Sequence, residues 1–312
     1  MQPELALAVD LGGTKIAVAV VDSSGAVVRK ARLPIDKQAT LAQITSAARQ
    51  VADATGVSWG RIRAVGVVVP GIYFAASGDA WAPNLFGPDP VPLRGQLQAG
   101  LPAPVVLDSD RAAYVLGEQW LGAAQGLSDV VFLAVGTGIG AGILSGGRLV
   151  RGAGDIAGAV GWFALNPRRQ PLYEQMGCWE TEAAGPAVAR RATERLARGE
   201  PSSLSSGEIT TEAVVAAARR GDALAASVLE DVARYLAMGI ANIISLLNPE
   251  MVVLGGGLMQ AGDLLLPLIR RQVPEWAQPF SARAVKIELT RLGEDAGLLG
   301  AARLAFSDKL LR

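Results

Sequence analysis

Two glycine turns carry the residue types that handle phosphate. The first, Asp10-Leu11-Gly12-Gly13-Thr14-Lys15, offers accessible backbone amides, a hydroxyl, a cation and a carboxylate. A carboxylate beside a phosphate is favourable only with Mg²⁺ between them, because the two charges otherwise repel. The second, Gly136-Thr137-Gly138-Ile139-Gly140-Ala141, loosely matches the dinucleotide fingerprint. That fingerprint must open a helix. Here Ala141–Leu144 reads as a strand running into a hairpin turn, so the Rossmann reading fails on context. Two such hairpins fit better as two jaws on one polyphosphate. The first turn reads equally well as a tight β-hairpin that needs glycine, with Lys15 simply solvated. Gly255, Gly256 and Gly257 follow a strand, where they let an adenosine lie flat on the backbone or make a flexible connection.

The chain has no histidine and one cysteine, Cys178. That excludes Ser-His-Asp and Cys-His catalysis, His-bearing zinc sites and an internal disulfide framework. A carboxylate is then the natural general base. Asp110 fits: it follows a buried strand, opens a helix and can accept a proton from a substrate hydroxyl. Asp108, Ser109 and Asp110 are equally suited to capping that helix.

The elements that position these residues repeat. Leu5–Val9, Ile16–Val21 and Ala26–Val28 form an antiparallel meander, and Val130–Val135, Ala141–Leu144 and Arg148–Val150 form another. Both carry a Ser/Gly turn at the same place, as expected of a duplicated domain. Ala64–Val69 and Val105–Leu107 are further strands of the first half. A helix over Leu41–Val51 starts from a Thr40 cap, and another covers Arg111–Trp120. The second half is mostly helical, with Glu180–Leu196, Thr211–Arg219 and a long helix from Leu224 that becomes apolar all round after Leu236. Met251–Leu254 and an edge strand, Val285–Leu289, precede a closing helix over Ala296–Phe306. This order predicts an α/β fold.

With 312 residues, half of them apolar and 19% charged, the chain can bury two domain cores. Its 29 basic and 29 acidic residues cancel, which argues against nucleic acid as the main partner. No segment reaches 18 consecutive apolar residues, and the N-terminus lacks a basic start and a cleavage site. With its lone thiol, the expectation is a cytoplasmic protein with no membrane partner.

Taken together the motifs resemble the ROK family of repressors, open reading frames and sugar kinases. The resemblance rests on Asp10–Lys15, Val69-Pro70-Gly71, Ala82-Pro83-Asn84-Leu85, LDSDRAAYVLGE around Asp110, GTGIGAGILSGGRLVRG, GCWETEAAGPA, LNPEMVVLGGGL and LGEDAGLLGAA, in family order from residue 5 to about 303. It implies an actin-like ATPase (ribonuclease H-like) fold, with two related α/β domains and an interdomain cleft that closes over the sugar. Residues 1–118 would form the N-terminal domain, with 299–312 packing back on it, and 119–298 the C-terminal one. The implied activity is transfer of the γ-phosphate of ATP, with Mg²⁺, to a hexose or modified hexose hydroxyl, most simply at C6, and often by a homodimer. By the same resemblance Asp110 is the base and Asp10 orients Mg²⁺ through water. Gly12, Gly13, Thr14, Lys15, Gly136, Thr137 and Gly138 hold phosphates, and Gly255, Gly256 and Gly257 face the adenosine. Asn84, Ser109, Asp110 and Glu180 fall at sugar-contacting positions.

The chain departs from the family at Ser109, where Asn is usual. Ala159 and Trp162 replace a sugar-binding Glu and a His. The family's zinc cluster joins that His to three cysteines, of which only Cys178 remains, with Pro171 and Tyr173 at the other two places. No zinc is therefore expected, and Cys178 reads as a small buried hydrophobe. Two other classes compete with the kinase. A repressor needs a helix-turn-helix ahead of the first hairpin, and only four residues precede Leu5. A catalytically inactive sugar- and nucleotide-binding sensor would explain the lost sugar ligands but not the intact Asp10, Asp110 and glycine turns.

Overall fold

A computed structural model describes residues 3–204 and 207–307 of the chain. The chain divides into two compact units. The first holds Met1–Gly126, Leu149–Ala157 and Arg291–Arg312, and the second holds Leu127–Arg148 and Gly158–Thr290. The first passage between units thus falls at Gly126–Leu127, a few residues beyond the expected 118/119, because the helix carrying Asp110 runs on to Leu121. Residues 308–312 of the expected closing segment lie outside the described residues.

In the first unit β1 (Leu5–Leu11), β2 (Lys15–Asp22) and β3 (Val27–Pro34) form the meander. Helix α1 (Thr40–Asp53) follows, then β4 (Ile62–Val69). A small hairpin, β5 (Ile72–Phe74) and β6 (Asp79–Trp81), leads to α2 (Pro83–Phe86), α3 (Leu93–Gly100), β7 (Val105–Ser109) and α4 (Asp110–Leu121). The sheet order is β3-β2-β1-β4-β7, with β1, β4 and β7 mutually parallel. Thr40 does not cap α1. Its hydroxyl donates to Asp36 O at 2.9 Å, and Ala39 holds the cap position without a side-chain bond.

The second unit repeats the pattern. Strands β8 (Val130–Val135), β9 (Ile139–Ser145) and β10 (Arg148–Leu149) form its meander. Helices α5 (Tyr173–Met176), α6 (Cys178–Ala183), α7 (Gly185–Ala197), α8 (Thr211–Arg219) and α9 (Ala223–Leu247) come next. Then β11 (Met251–Gly255), α10 (Gly262–Gln272), α11 (Pro279–Ala284) and β12 (Lys286–Leu289) complete it. The order β10-β9-β8-β11-β12 is the order of the first sheet, element for element. The helix expected over 180–196 is two helices, broken at Ala184, whose extended backbone (ψ 170°) ends α6. Pro186 sits in the first turn of α7 and has no N–H to carry the helix through. The second half of α9 is buried along one face only, with Leu236, Ala237, Ile240, Ala241, Ile243 and Ile244 covered. Asn242, Ser245 and Leu246 (76% exposed) face outward, so the apolar run is not enclosed all round as expected. Among the described residues no helix is long and apolar enough to cross a membrane.

The chain returns to the first unit as α12 (Ala296–Ala305), which covers the alanine face of the sheet (Ala6, Ala8, Ala17 and Ala19) with Leu298, Ala301, Ala302 and Ala305. Small residues let α12 and α4 meet backbone to backbone. A Cβ at Gly300 would lie 1.9 Å from Ala113 O, so Gly300→Ala should cost about 3 kcal/mol or more of stability by forcing the helices apart. Thermal unfolding checks this, and an unchanged melting temperature would contradict the packing. Glu118, fully buried on α4, fixes the chain where it leaves and re-enters this unit. Its carboxylate accepts the N–H of Ala123 at 2.7 Å and of Leu292 at 3.1 Å.

Candidate active site

Parallel strands deliver their carboxyl ends side by side, and in open α/β sheets that edge is where ligands bind. In the first unit Asp10 on β1 is in register with Val68 on β4, and Val68 with Asp108 on β7. The next residues along β7 are Ser109 and Asp110. Burial and the Asp110 charge, only partly offset by Arg32, push the Asp10 carboxyl up to about 7. Burial likewise raises Asp110 to about 6, against the pull of the Arg111 charge and of its N–H, which donates to Oδ1 at 2.8 Å. Two carboxyls at one strand edge, both resisting ionisation, are what a divalent cation or a proton transfer would relieve. Gly297 leaves room for Asp10, since a Cβ there would lie 2.5 Å from Oδ2.

The capping question at α4 is settled by Ser109, whose Oγ accepts the Ala112 N–H at 3.3 Å. Asp110 is thereby left for other work. Asp108 is also engaged elsewhere: it is buried and pairs with Arg151 from the returning 149–157 segment. Asp155 in the same segment adopts a left-handed backbone (φ 57°) and accepts the Ala75 N–H at 3.0 Å, joining the β5–β6 hairpin. From its residue type Asp108 suggests only a cap, and nothing in the sequence pairs it with Arg151. The available signal is an arginine in the glycine-rich run after β10. Arg111 reaches Gly71 O at 3.2 Å, and Gly71 in turn abuts Trp81 and Ala82, just ahead of the exposed Asn84. The first unit thus gathers Asp10, Ser109 and Asp110 along one edge, with the Asn84 segment packed on the end of β4.

The first glycine turn is closed by Gly12 N–H donating to Lys15 O at 2.9 Å, and Gly13 and Thr14 are exposed. Lys15 Nζ rests on Glu294 at 3.2 Å, an exposed pair, and exposed pairs contribute little. The lysine can therefore exchange Glu294 for another anion at small cost.

In the second unit β8 and β11 are parallel neighbours, so the Gly136–Gly138 turn and the Gly255–Gly257 run lie together. Gly136 N–H donates to Gly138 O at 2.9 Å, and Thr137 is exposed. Internal packing already accounts for two of the three later glycines. A Cβ at Gly255 would strike Phe132 at 2.3 Å, and Gly256 has φ +91° against Val135 O. Gly257 alone faces open space. Glu180 on α6 accepts the Ile139 N–H at 2.8 Å and lies under both Gly138 and Gly161, where a Cβ would approach Oε2 to 2.7 and 3.0 Å. Burial raises its pKa. Ala159 and Trp162 flank Gly161 and so belong to the same corner. Trp162 is 58% exposed, so within its unit it fills no buried space. Cys178 is buried at the start of α6.

The model of the ROK family matches residues 6–308. The chain belongs to the ROK family. A glucokinase of Halalkalibacterium halodurans is 33% identical over 94% of this chain and 92% of its own length. A Streptomyces griseus ROK glucokinase, solved with glucose and AMPPNP, is 30% identical and superposes with a TM-score of 0.78 over 96% of this chain and 98% of its own. A ROK transcriptional regulator superposes with a TM-score of 0.86 at 28% identity, over 98% of this chain but 79% of the regulator. The fold is thus that of ROK proteins, with two related α/β units, each built on the same five-strand order.

Proposed function

We propose that this ROK protein is an ATP-dependent hexose kinase that works in the cytoplasm as a homodimer. The observation that carries the reading is Asp110: a carboxyl at a strand end, spared from capping by Ser109, with burial holding its pKa near 6. Such a base is ionised at neutral pH and still basic enough to take a proton. Asp110 accepts the proton of a sugar hydroxyl, most simply O6, as that oxygen attacks the γ-phosphorus and ADP leaves. Backbone amides at Gly12, Gly13, Gly136 and Gly138, with Thr14, Lys15 and Thr137, hold the phosphates. Gly257, next to Gly255 and Gly256, offers its open face to the adenosine. Asp10 fits as the partner of Mg²⁺ through water, being a buried carboxyl that an adjacent carboxylate disfavours. When bound, the ion supplies charge neutralisation at the transferred group. Asn84, Ser109 and Glu180 orient the sugar. Exposed Trp276 and Phe280 on the second unit support pairing of two copies.

An ADP-release assay over hexoses, amino sugars and deoxy sugars tests the activity. EDTA should abolish turnover and Mg²⁺ restore it, with no change in melting temperature, because no Cys/His cluster is available to hold a structural ion. Loss of folding together with stoichiometric zinc would contradict this.

Ala159 has no polar side chain, and Trp162 offers one indole donor beside a broad apolar face. Where hydrogen bonds to a hydroxyl are missing, discrimination against sugars lacking that hydroxyl weakens. Glucose should therefore be a poor substrate relative to a 2-amino, 2-deoxy or otherwise modified hexose. A preference for glucose of about 100-fold over 2-deoxyglucose, read as kcat/KM, would refute this.

A further inference from the structure

Two residues beyond Glu180, the same short helix carries a second carboxylate with a different environment. The Glu182 side chain is 5% exposed. Its Oε1 receives the Tyr173 hydroxyl, Asn166 Nδ2 at 3.1 Å and Gln170 Nε2 at 3.2 Å, while Oε2 receives Arg191 Nη2. Both amides also donate to the Tyr173 oxygen at 3.0 Å, and the Arg191 guanidinium lies over the Tyr235 ring, 5.1 Å from its centre. Burial and the Glu182 bond raise the Tyr173 pKa, so the phenol stays the donor.

These donors come from separate stretches: residues 163–172, which have no helix or strand, then α5, then α7. A buried carboxylate costs several kcal/mol unless it is paired and hydrogen-bonded. Glu182 is both, and what the bonds accomplish is to tie the irregular stretch and α7 to α6. Helix α6 is six residues long, too short to hold its own orientation, yet it presents Glu180 to the Ile139 N–H. The adjoining stretch is held on it again where Gly177 packs on Gly161, so the Ala159–Trp162 turn moves with it.

We propose that Glu182, Tyr173 and Arg191 are positioning residues: a side-chain hub that fixes α6 and residues 159–177, and through them Glu180, for sugar binding. The proposal rests on Glu180 being a sugar contact. It needs no metal ion and no conformational change.

Cys178, buried at the first turn of α6 and the chain's only cysteine, reports on the hub without any assay of turnover. In the full chain, Tyr173→Phe removes only the hydroxyl, and Glu182→Gln keeps the shape but loses the charge. Each should speed thiol labelling of Cys178 by about tenfold or more, since bonds to a charged group hold the local structure shut. Sugar KM should rise by a similar factor, while ATP KM and kcat stay within about threefold. Arg191→Lys, which keeps the charge, should recover much of the sugar affinity lost in Arg191→Met. Should Glu182→Gln fail to fold, Tyr173→Phe still decides. Wild-type labelling rates in a folded variant overturn the proposal, as does fast labelling with unchanged sugar KM. A wild-type protein that phosphorylates no hexose defeats the kinase reading alone. The hub is then judged by labelling and by sugar binding followed through tryptophan fluorescence, where equal affinities overturn it.

Discussion

Asp110→Asn is expected to lower kcat by about 10²–10⁴, the usual scale of general-base catalysis, with sugar KM little changed. The substitution keeps the shape of the side chain and leaves the Ser109 cap of α4 in place. Only the proton acceptor is lost. The wild-type profile of kcat/KM should fall on the acid side between about pH 7 and 6, where Asp10 and Asp110 take up protons. Because the two carboxyls interact, the limb reports the pair. Stability should move the other way. The folded-state pKa of Asp110 lies above its ordinary value, so its contribution to stability is fully present below about pH 4 and lost as pH rises through about 6. Asparagine has no charge to bury. The variant should therefore be more stable than wild type at pH 8 and equal to it near pH 4. The gain should reach at most about 3 kcal/mol, since each tenfold change in proton affinity is worth about 1.4 kcal/mol. A variant that turns over like wild type would end the assignment of Asp110 as base.

Arg151→Met should destabilise the first unit by about 3 kcal/mol at pH 8, because it leaves the buried Asp108 carboxylate without its cation. Burial already raises the Asp108 pKa despite Arg151, and removing the arginine raises it further. A carboxyl with a raised folded-state pKa penalises the fold only where it is ionised. The deficit should therefore shrink as pH falls towards the ordinary aspartate value. Melting temperatures at pH 8 and pH 5 decide it. An equal deficit at both would mean that Arg151 acts through packing and not through charge.

The strand frame is legible in the sequence because β1, β2, β8 and β9 are compact apolar runs, and the glycine turns between them mark where the backbone must reverse. β3 is an edge strand that runs past the expected Val28 to Pro34 through Arg29, Lys30 and Arg32, with no buried residue, so apolarity does not mark its end. Asp110 is legible as a strand-end carboxylate in a chain with no histidine. Its freedom from capping is not, since Asp108, Ser109 and Asp110 cap equally well as residue types and only the backbone angles at Ser109 choose between them. The break at Ala184 has a sequence signal in Pro186, outweighed by the helical spacing on either side. Strands β5 and β6 are three residues each, too short for alternation to show. The Arg151–Asp108 pair joins residues 43 apart that only the return of 149–157 to the first unit brings together. Tyr173 stands out in the sequence only as the replacement of a cysteine, whereas in the fold its hydroxyl meets Glu182.

The first unit is written in three separate pieces of chain, and the last of them supplies α12. Ala6, Ala8, Ala17 and Ala19 leave that face of the sheet shallow, so no other element can substitute for the helix that fills it. During synthesis, residues 1–126 emerge from the ribosome long before their cover exists. The nascent chain must carry an open apolar face while the whole second unit is made, a period in which a chaperone has something to hold. A 1–126 fragment expressed alone should aggregate, and a peptide spanning residues 291–307 should rescue its solubility when supplied in trans.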